Sequence, residues 1–313
     1  MTAQQKTTLK KLGPLLALAA VCIGLAFMSP NFLTVSNSFD VMRQVSINAL
    51  IAFGMTLSIL LGGIDLSVGS ILAVSSVLAA MMMKGGHDAG LAAGIAILAG
   101  AGMGSLNGVV IAKGKVAPFI ATLGTMTLLR GLSLVLSNGS PISGFSSDFF
   151  GMLGGGYVAR LIPVPVVLML AMFATFWFVL TRTIFGRHVY ATGGNAEAAT
   201  LSGVNTNRVQ VLVYTISGAM AALAGVILTS RLDSAQPTAG AGYELDAITA
   251  VVLGGTSLSG GRGWIFGTLV GALLIGVLNN GLNLMGVSAF YQQVVKGSVI
   301  LLAVLLDRGG KSA

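Results

Sequence analysis

Charge is what this chain has least of. Only 8% of its 313 residues are Asp, Glu, Lys or Arg, against about a quarter in ordinary soluble domains. That excludes a globular domain able to cover its surface with polar side chains. Cysteine is nearly missing too. The single Cys22, inside the first apolar run, excludes an intrachain disulfide and reads as a small buried hydrophobe. The two histidines, His87 and His188, stand far apart without acidic or sulfur neighbours at ligand spacing, so no metal site is expected. A nucleotide site is absent as well: the C-terminal GGKS, Gly309 to Ser312, has Leu305 where a phosphate loop requires glycine. No acid, histidine or arginine pair recurs across the apolar runs, which leaves ion-gradient coupling little to act on.

Hydrophobic residues, at 55%, give a mean hydropathy of +0.91. Apolar runs near the ~20 residues a bilayer needs recur from end to end. They are apolar on all faces, so a barrel, whose strands alternate, does not fit. The expectation is an all-α polytopic membrane protein, one transmembrane domain over 1–313. Ten spans are expected, at 13–29, 44–61, 66–83, 89–112, 117–136, 163–181, 208–230, 244–257, 264–284 and 290–306. No A-x-A-like cleavage site follows the first, so it reads as an uncleaved helix. With the N-terminus inside, eleven of the 17 Lys and Arg fall inside and four outside. That bias orients the chain with both termini cytoplasmic. The formal charge of +8 is scattered singly between the runs, which argues against nucleic acid. The eighth span is short and carries Glu244 and Asp246 near its start; if it only dips in and out, the last two helices invert. Residues 137–162 form a glycine-rich external loop, and 182–207 the longest internal one.

One apolar segment is broken by Leu61-Gly62-Gly63-Ile64-Asp65-Leu66-Ser67-Val68-Gly69. The break has a partner in Leu253-Gly254-Gly255-Thr256-Ser257-Leu258-Ser259-Gly260-Gly261, sharing the pattern LGGxxLSxG. Paired glycine interruptions in corresponding halves are a feature of transporters built from internal repeats. Gly62, Gly63, Gly254 and Gly255 can end a helix without a Cβ clash. Asp65 and Ser257 align, and both read as N-caps of the next helix. An acid at membrane depth also raises ion coupling, but its counterpart is a hydroxyl, and serine is expected to substitute for Asp65. Arg130 and Lys296, near span ends, can snorkel to the interface. Asn107, Asn279, Asn280 and Asn283 suit either helix–helix hydrogen bonding or the lining of a polar path. Asn279 and Asn283 share a helical face.

The internal loop carries Glu197-Ala198-Ala199-Thr200-Leu201-Ser202-Gly203, of the form EAAxxxG. It reads as a short helix with Asn195 as N-cap, an acid in the first turn and Gly203 as its stop. Either an ordinary surface helix or a segment that seats in a partner's groove has this form. EAAxxxG at this place resembles the coupling helix of ABC importer permeases. GMTLSILLGGIDLSVGSILA, KVAPFIATLGTMTLLRG, SAQPTAGAGYELDAITAVVLGGTSLSGGRG and NNGLNLMGVSAFYQQVVK resemble runs of the bacterial ribose-permease family. The resemblance covers nearly the whole chain.

That resemblance implies a fold similar to the vitamin B12 importer permease, ten helices per subunit, and two permease copies in the bacterial inner membrane. It implies three kinds of partner: an ABC ATPase that uses ATP and Mg, a periplasmic sugar-binding protein, and the sugar itself. Glu197, Ala198, Ala199 and Gly203 would then couple to the ATPase. Arg43 and Arg231 would meet the binding protein, although Arg231 reads equally well as an interfacial anchor. The double-glycine breaks would serve as hinges and Asn107, Asn279 and Asn283 as path candidates. No residue of this chain would be catalytic. An ion-coupled secondary transporter or a channel is the competing class, and a scaffold or receptor that moves nothing is a third.

Overall fold

A chain this apolar cannot leave backbone N–H and C=O groups facing hydrocarbon, so its runs close their own hydrogen bonds as helices. The computed structural model describes residues 3–298 apart from Ser146 and Ala289, together with Leu301; for 3–12 it describes the backbone alone. The long helices are α1 (Ala3–Met28), α2 (Val35–Leu60), α3 (Val68–Lys84), α4 (Ala89–Ala112) and α5 (Pro118–Leu136). After β1 (Ile142–Ser143), α6 (Asp148–Gly155), β2 (Tyr157–Val158) and β3 (Ile162–Pro163) comes α7 (Val164–Arg182). Two short helices, α8 (Ile184–Gly194) and α9 (Ala196–Leu201), lead into α10 (Thr206–Leu232). Then follow β4 (Ser234–Ala235), α11 (Tyr243–Leu253), α12 (Ile265–Leu284) and a helical stretch at 290–298. The end of the tenth expected span and the GGKS sequence lie outside the described residues.

Among the described residues six helices, α2, α4, α5, α7, α10 and α12, have the length and hydropathy to cross a bilayer. Gly13–Met28 within α1 and all of α3 are shorter apolar helices. The protein is an all-helical, multi-pass membrane protein. At its centre α2 is buried without interruption from Val45 to Leu60. At the periphery α5 and α7 turn Phe119, Ile120, Leu128, Leu170 and Phe178 outward, an apolar face suited to lipid.

Lipid tails offer helices no hydrophobic reason to associate, so close backbone approach has to supply it. The α4–α10 contact shows how. Gly100, Gly104 and Gly108 lie one turn apart and meet Ala222, Gly218, Tyr214 and Val211 of α10. A Cβ on Gly108 would stand 2.6 Å from the Val211 Cα, so no larger residue fits there without moving a helix.

The loop expected outside, 137–162, has its own structure. β1 pairs with β4 through Ile142↔Ala235, and β2 with β3 in a hairpin. Helix α6 is tied to the end of α10, where the Gly154 N–H donates to Ser230 Oγ at 2.8 Å. The chain then turns back along α5. Ser133 donates to the Pro237 carbonyl at 2.8 Å, and Arg130 Nη1 donates to the carbonyls of Pro237 (3.1 Å) and Ala239 (2.7 Å).

The eighth expected span, 244–257, is therefore replaced by something different. Helix α11 has 11 residues, roughly 16 Å at 1.5 Å each, half of a ~30 Å hydrocarbon layer. The stretch 233–242 before it consists of β4 followed by turns, with Gly240 and Gly242 at positive φ. The chain does return to the end where α10 began: Gly261 N–H donates to the Leu60 carbonyl, at the close of α2, at 2.9 Å.

Candidate functional site

The two LGG breaks are built alike and lie side by side. After α2, Gly62 takes φ +78°; its N–H donates to Ile59 O (2.9 Å) and that of Gly63 to Ser58 O (3.0 Å). After α11, Gly255 takes φ +88°; its N–H donates to Val252 O (2.9 Å) and that of Thr256 to Val251 O (3.2 Å). Both are Schellman endings, which need a residue free of the Cβ penalty at the left-handed position. That residue is the first glycine of the pair in one copy and the second in the other. The helix ends have slipped by one residue relative to the aligned sequences.

The turns that follow stay in register. Asp65 Oδ1 accepts from the Ser67 N–H at 3.1 Å, and Ser257 Oγ from the Ser259 N–H at 3.3 Å. Neither residue is an N-cap, contrary to the expectation. Ser67 holds that position for α3, while no helix follows Ser257 until Ile265. The oxygen two residues before the amide closes an Asx- or Ser-type turn instead.

Asp65 also does what serine could not. Fully buried, it accepts Ser67 Oγ–H at 2.6 Å on one oxygen and Ser217 Oγ–H of α10 at 2.8 Å on the other. Asn107 Nδ2 donates to Ser67 Oγ (2.8 Å), and Thr125 of α5 donates to Asn107 Oδ1 (2.6 Å). Thr122 donates to the Ile64 carbonyl at 3.0 Å. Break one is thereby anchored to α4, α5 and α10. Asn107 is 1% exposed and belongs to this network.

Against both breaks sits the end of α8. A Cβ on Gly260 would lie 2.7 Å from Gly193 O and 2.9 Å from Gly62 N, and one on Gly261 2.7 Å from Gly194 Cα. Gly193 and Gly194 lead directly into α9. There Asn195 Oδ1 caps the helix from the Ala198 N–H at 2.9 Å, Glu197 lies in the first turn, and Gly203 takes φ +85° beyond it. Glu197, Ala198 and Gly203 are exposed, whereas Ala199 is buried against the protein itself and presents nothing outward. Leu201 is 91% exposed. A lone leucine inside a short polar helix carries no periodicity, so nothing in the sequence singles it out.

The sequence that builds this arrangement matches a transport family. Residues 37–304 match the one described as branched-chain amino acid transport system / permease component. The chain belongs to this family of permeases. Over 301 residues the permease is 58% identical to the ribose import permease protein RbsC of Bacillus subtilis (strain 168), covering 96% of this chain and 93% of that one. It is 52% identical to the ribose import permease protein RbsC of Escherichia coli (strain K12), covering 94% and 92%. To the D-allose transport system permease protein AlsC of the same strain it is 43% identical, covering 95% and 91%. No solved structure matches it.

The remaining polar residues of the permease are mostly engaged. Arg130 and Lys296 do not snorkel outward. The first holds the re-entrant carbonyls, and Lys296 Nζ reaches Asp246 Oδ2 of α11 at 2.9 Å, with Asp246 only 5% exposed. A buried carboxylate draws in the nearest cation, because unpaired it would cost several kcal/mol (about 3–5). Glu244 Oε1 accepts from the Gly242 N–H at 3.1 Å. Charge pairing between distant helices is thus present where none was expected. Asn279 is buried with its Oδ1 unpartnered among the described residues. Asn280 pairs with Asn37, and the exposed Asn283 accepts from Gln292 at 2.7 Å. Arg43 bonds Tyr157 and Asp40, and its guanidinium lies 4.9 Å over the Tyr157 ring. Arg231 is half-buried in the last turn of α10.

Proposed function

We propose that the chain is the membrane-spanning subunit of an ATP-driven importer for ribose or a related monosaccharide. The observation that carries this reading is the junction of α8 and α9 with both broken segments, in a chain similar along its length to ribose import permeases. The subunit crosses the bacterial inner membrane ten times, both termini cytoplasmic, in a fold similar to that of the vitamin B12 importer permease. The charge bias of the loops supports that orientation. Two copies enclose the path. A separate ABC ATPase, using ATP and Mg, receives Glu197, Ala198 and Gly203, with Leu201 as an apolar knob. A periplasmic binding protein delivers the sugar from the other side. Arg231 is the better of the two expected docking residues, since Arg43 is spent on Tyr157 and Asp40. Of the amides proposed for the path, exposure favours Asn283, whereas Asn279 is buried beside the Asp246–Lys296 pair.

This chain makes and breaks no covalent bond. Closure of the ATPase displaces α9, the displacement reaches the breaks through Gly193 and Gly194, and the helices beyond them tilt to change access. The test is uptake of radiolabelled ribose by cells carrying or lacking the permease. Loss of uptake on ATP depletion with the ion gradients intact supports the importer. Uptake that persists with ion gradients alone favours the ion-coupled class, and uptake unchanged by deletion favours a scaffold.

A further inference from the structure

The two breaks share a backbone design but not their attachments. Break one is anchored inward: Asp65 to Ser217 and Thr122 to the Ile64 carbonyl, reaching α10 and α5. Break two has no such anchor through Ser257, which turns only onto its own Ser259 amide. Two of its side-chain ties come from aromatic residues. Trp264 Nε1–H donates to the Gly254 carbonyl at 3.0 Å, closing the loop 254–264 on itself at the helix end of α11. The Tyr190 hydroxyl of α8 donates to the Gly263 carbonyl at 2.9 Å, one residue from that tryptophan.

A motion of α8 therefore meets two different mechanical elements. Against break one, among the described residues, it has the van der Waals contact of Gly193 with the end of α2. Against break two it has the same kind of contact at Gly260 and Gly261 plus a directional bond at Gly263. A hydrogen bond resists both separation and rotation, whereas glycine backbones in contact can slide. Burial pushes the Tyr190 phenol up from its usual value, so it stays a donor throughout the physiological range.

We infer that Tyr190 is the positioning residue through which displacement of the α8–α9 segment is delivered to the second break, and that the first break is the fixed pivot. This rests on the importer reading and deepens it. The stroke enters at Gly263, is passed by Trp264 to Gly254, and moves α11 and the start of α12 together. Arg130 and the Asp246–Lys296 pair sit at the far end of α11, so its movement changes the stretch 233–242, turning about the Gly261 N–H bond to the Leu60 carbonyl that joins the two breaks.

The experiment is to purify the permease with its ATPase from the native host, reconstitute the complex in proteoliposomes, and measure ribose moved per ATP hydrolysed. Tyr190→Phe keeps the ring in its cleft with Phe173, Trp177 and Trp264 and removes only the donor. The expected result is normal co-purification, near-normal ATP hydrolysis and a fall of about fivefold in sugar per ATP, the scale of one hydrogen bond. Ser76→Ala, which removes a bond to the Gly225 carbonyl of α10 away from both breaks, is expected to lower the melting temperature and leave the ratio unchanged. An unchanged ratio in Tyr190→Phe, loss of ATPase co-purification in it, or an equal fall in Ser76→Ala overturns the inference. Absence of ATP-driven uptake by the unaltered complex overturns the importer reading itself, and is distinguished by failing before any variant is made.

Discussion

Asp65 gathers three donors on two carboxylate oxygens, from Ser67 backbone and side chain and from Ser217 on α10. Replacement by serine keeps the turn but cannot reach α10, and forfeits one hydrogen bond to a charged group, about 1.5–3 kcal/mol. Asp65→Leu strands all three donors in a dry interior and costs roughly 3 kcal/mol or more. Melting of the detergent-solubilised protein should therefore rank parent, then Asp65→Ser, then Asp65→Leu. Identical melting of the first two would show the Ser217 bond to be idle. Lys296→Ala makes the complementary case, because it leaves the buried Asp246 carboxylate unpaired at a cost of about 3–5 kcal/mol. Adding Asp246→Asn to it removes that charge and should recover part of the lost melting temperature; no recovery would mean that the lysine acts by packing alone.

Helices in this bundle depend on which side of each carries glycine. On α4, Gly104 faces α10, while Gly102 has nothing within 4 Å of a would-be Cβ. Gly104→Leu should prevent the protein from running as a single species in detergent, and Gly102→Leu should leave it unchanged; like behaviour of the two would remove the packing argument. Repeated glycines signal close approach in the sequence, but which of the 44 are packed is decided by the partner: Gly100, Gly104 and Gly108 meet α10, and Gly271 meets Ala250 of α11. On α9 the visible feature is EAAxxxG. Its acid and terminal glycine are exposed, but Ala199 faces inward, since a short helix lying on a larger body must bury one side. Leu201→Asp should weaken co-purification with the ATPase by about tenfold, the scale expected when a carboxylate replaces an apolar side chain in a desolvated groove; retention at the parent level would place the docking elsewhere.

At the scale of the molecule, one end of the bundle collects the close of α2, the close of α11 and the turn between α8 and α9. These segments come from three distant parts of the chain, and their convergence makes a single mechanical unit of them. The opposite end gathers α6 and two small β ladders around the end of α10. Between the two ends, the short helix α11 is preceded by the turns of 233–242, which Arg130 and Ser133 hold. Irregular backbone at that depth is tolerated only where protein groups satisfy it. Arg130→Leu leaves the Pro237 and Ala239 carbonyls without their guanidinium donor, and should abolish uptake while insertion and ATPase docking persist; normal uptake would show the stretch to be held by Ser133 alone.

By itself the sequence determined what depends on nearest neighbours. Run length and hydropathy set the long helices, glycine pairs set where two of them end, and charge bias set a proposed orientation. Asn195 and Gly203 marked the ends of α9 for the same reason, because capping and left-handed turns are decided within a few residues. Tertiary structure decided everything that pairs residues far apart. Arg130 finds carbonyls 107 and 109 positions away, Asp65 a serine 152 away, and Asn37 an amide 243 away. It also moved the second Schellman ending by one residue and Arg43 onto Tyr157, and it shortened the eighth expected span to the 11-residue helix α11. A polar group in hydrocarbon must take whichever partner the packed bundle brings to it, and which helix stands next to which is not a local property of the chain.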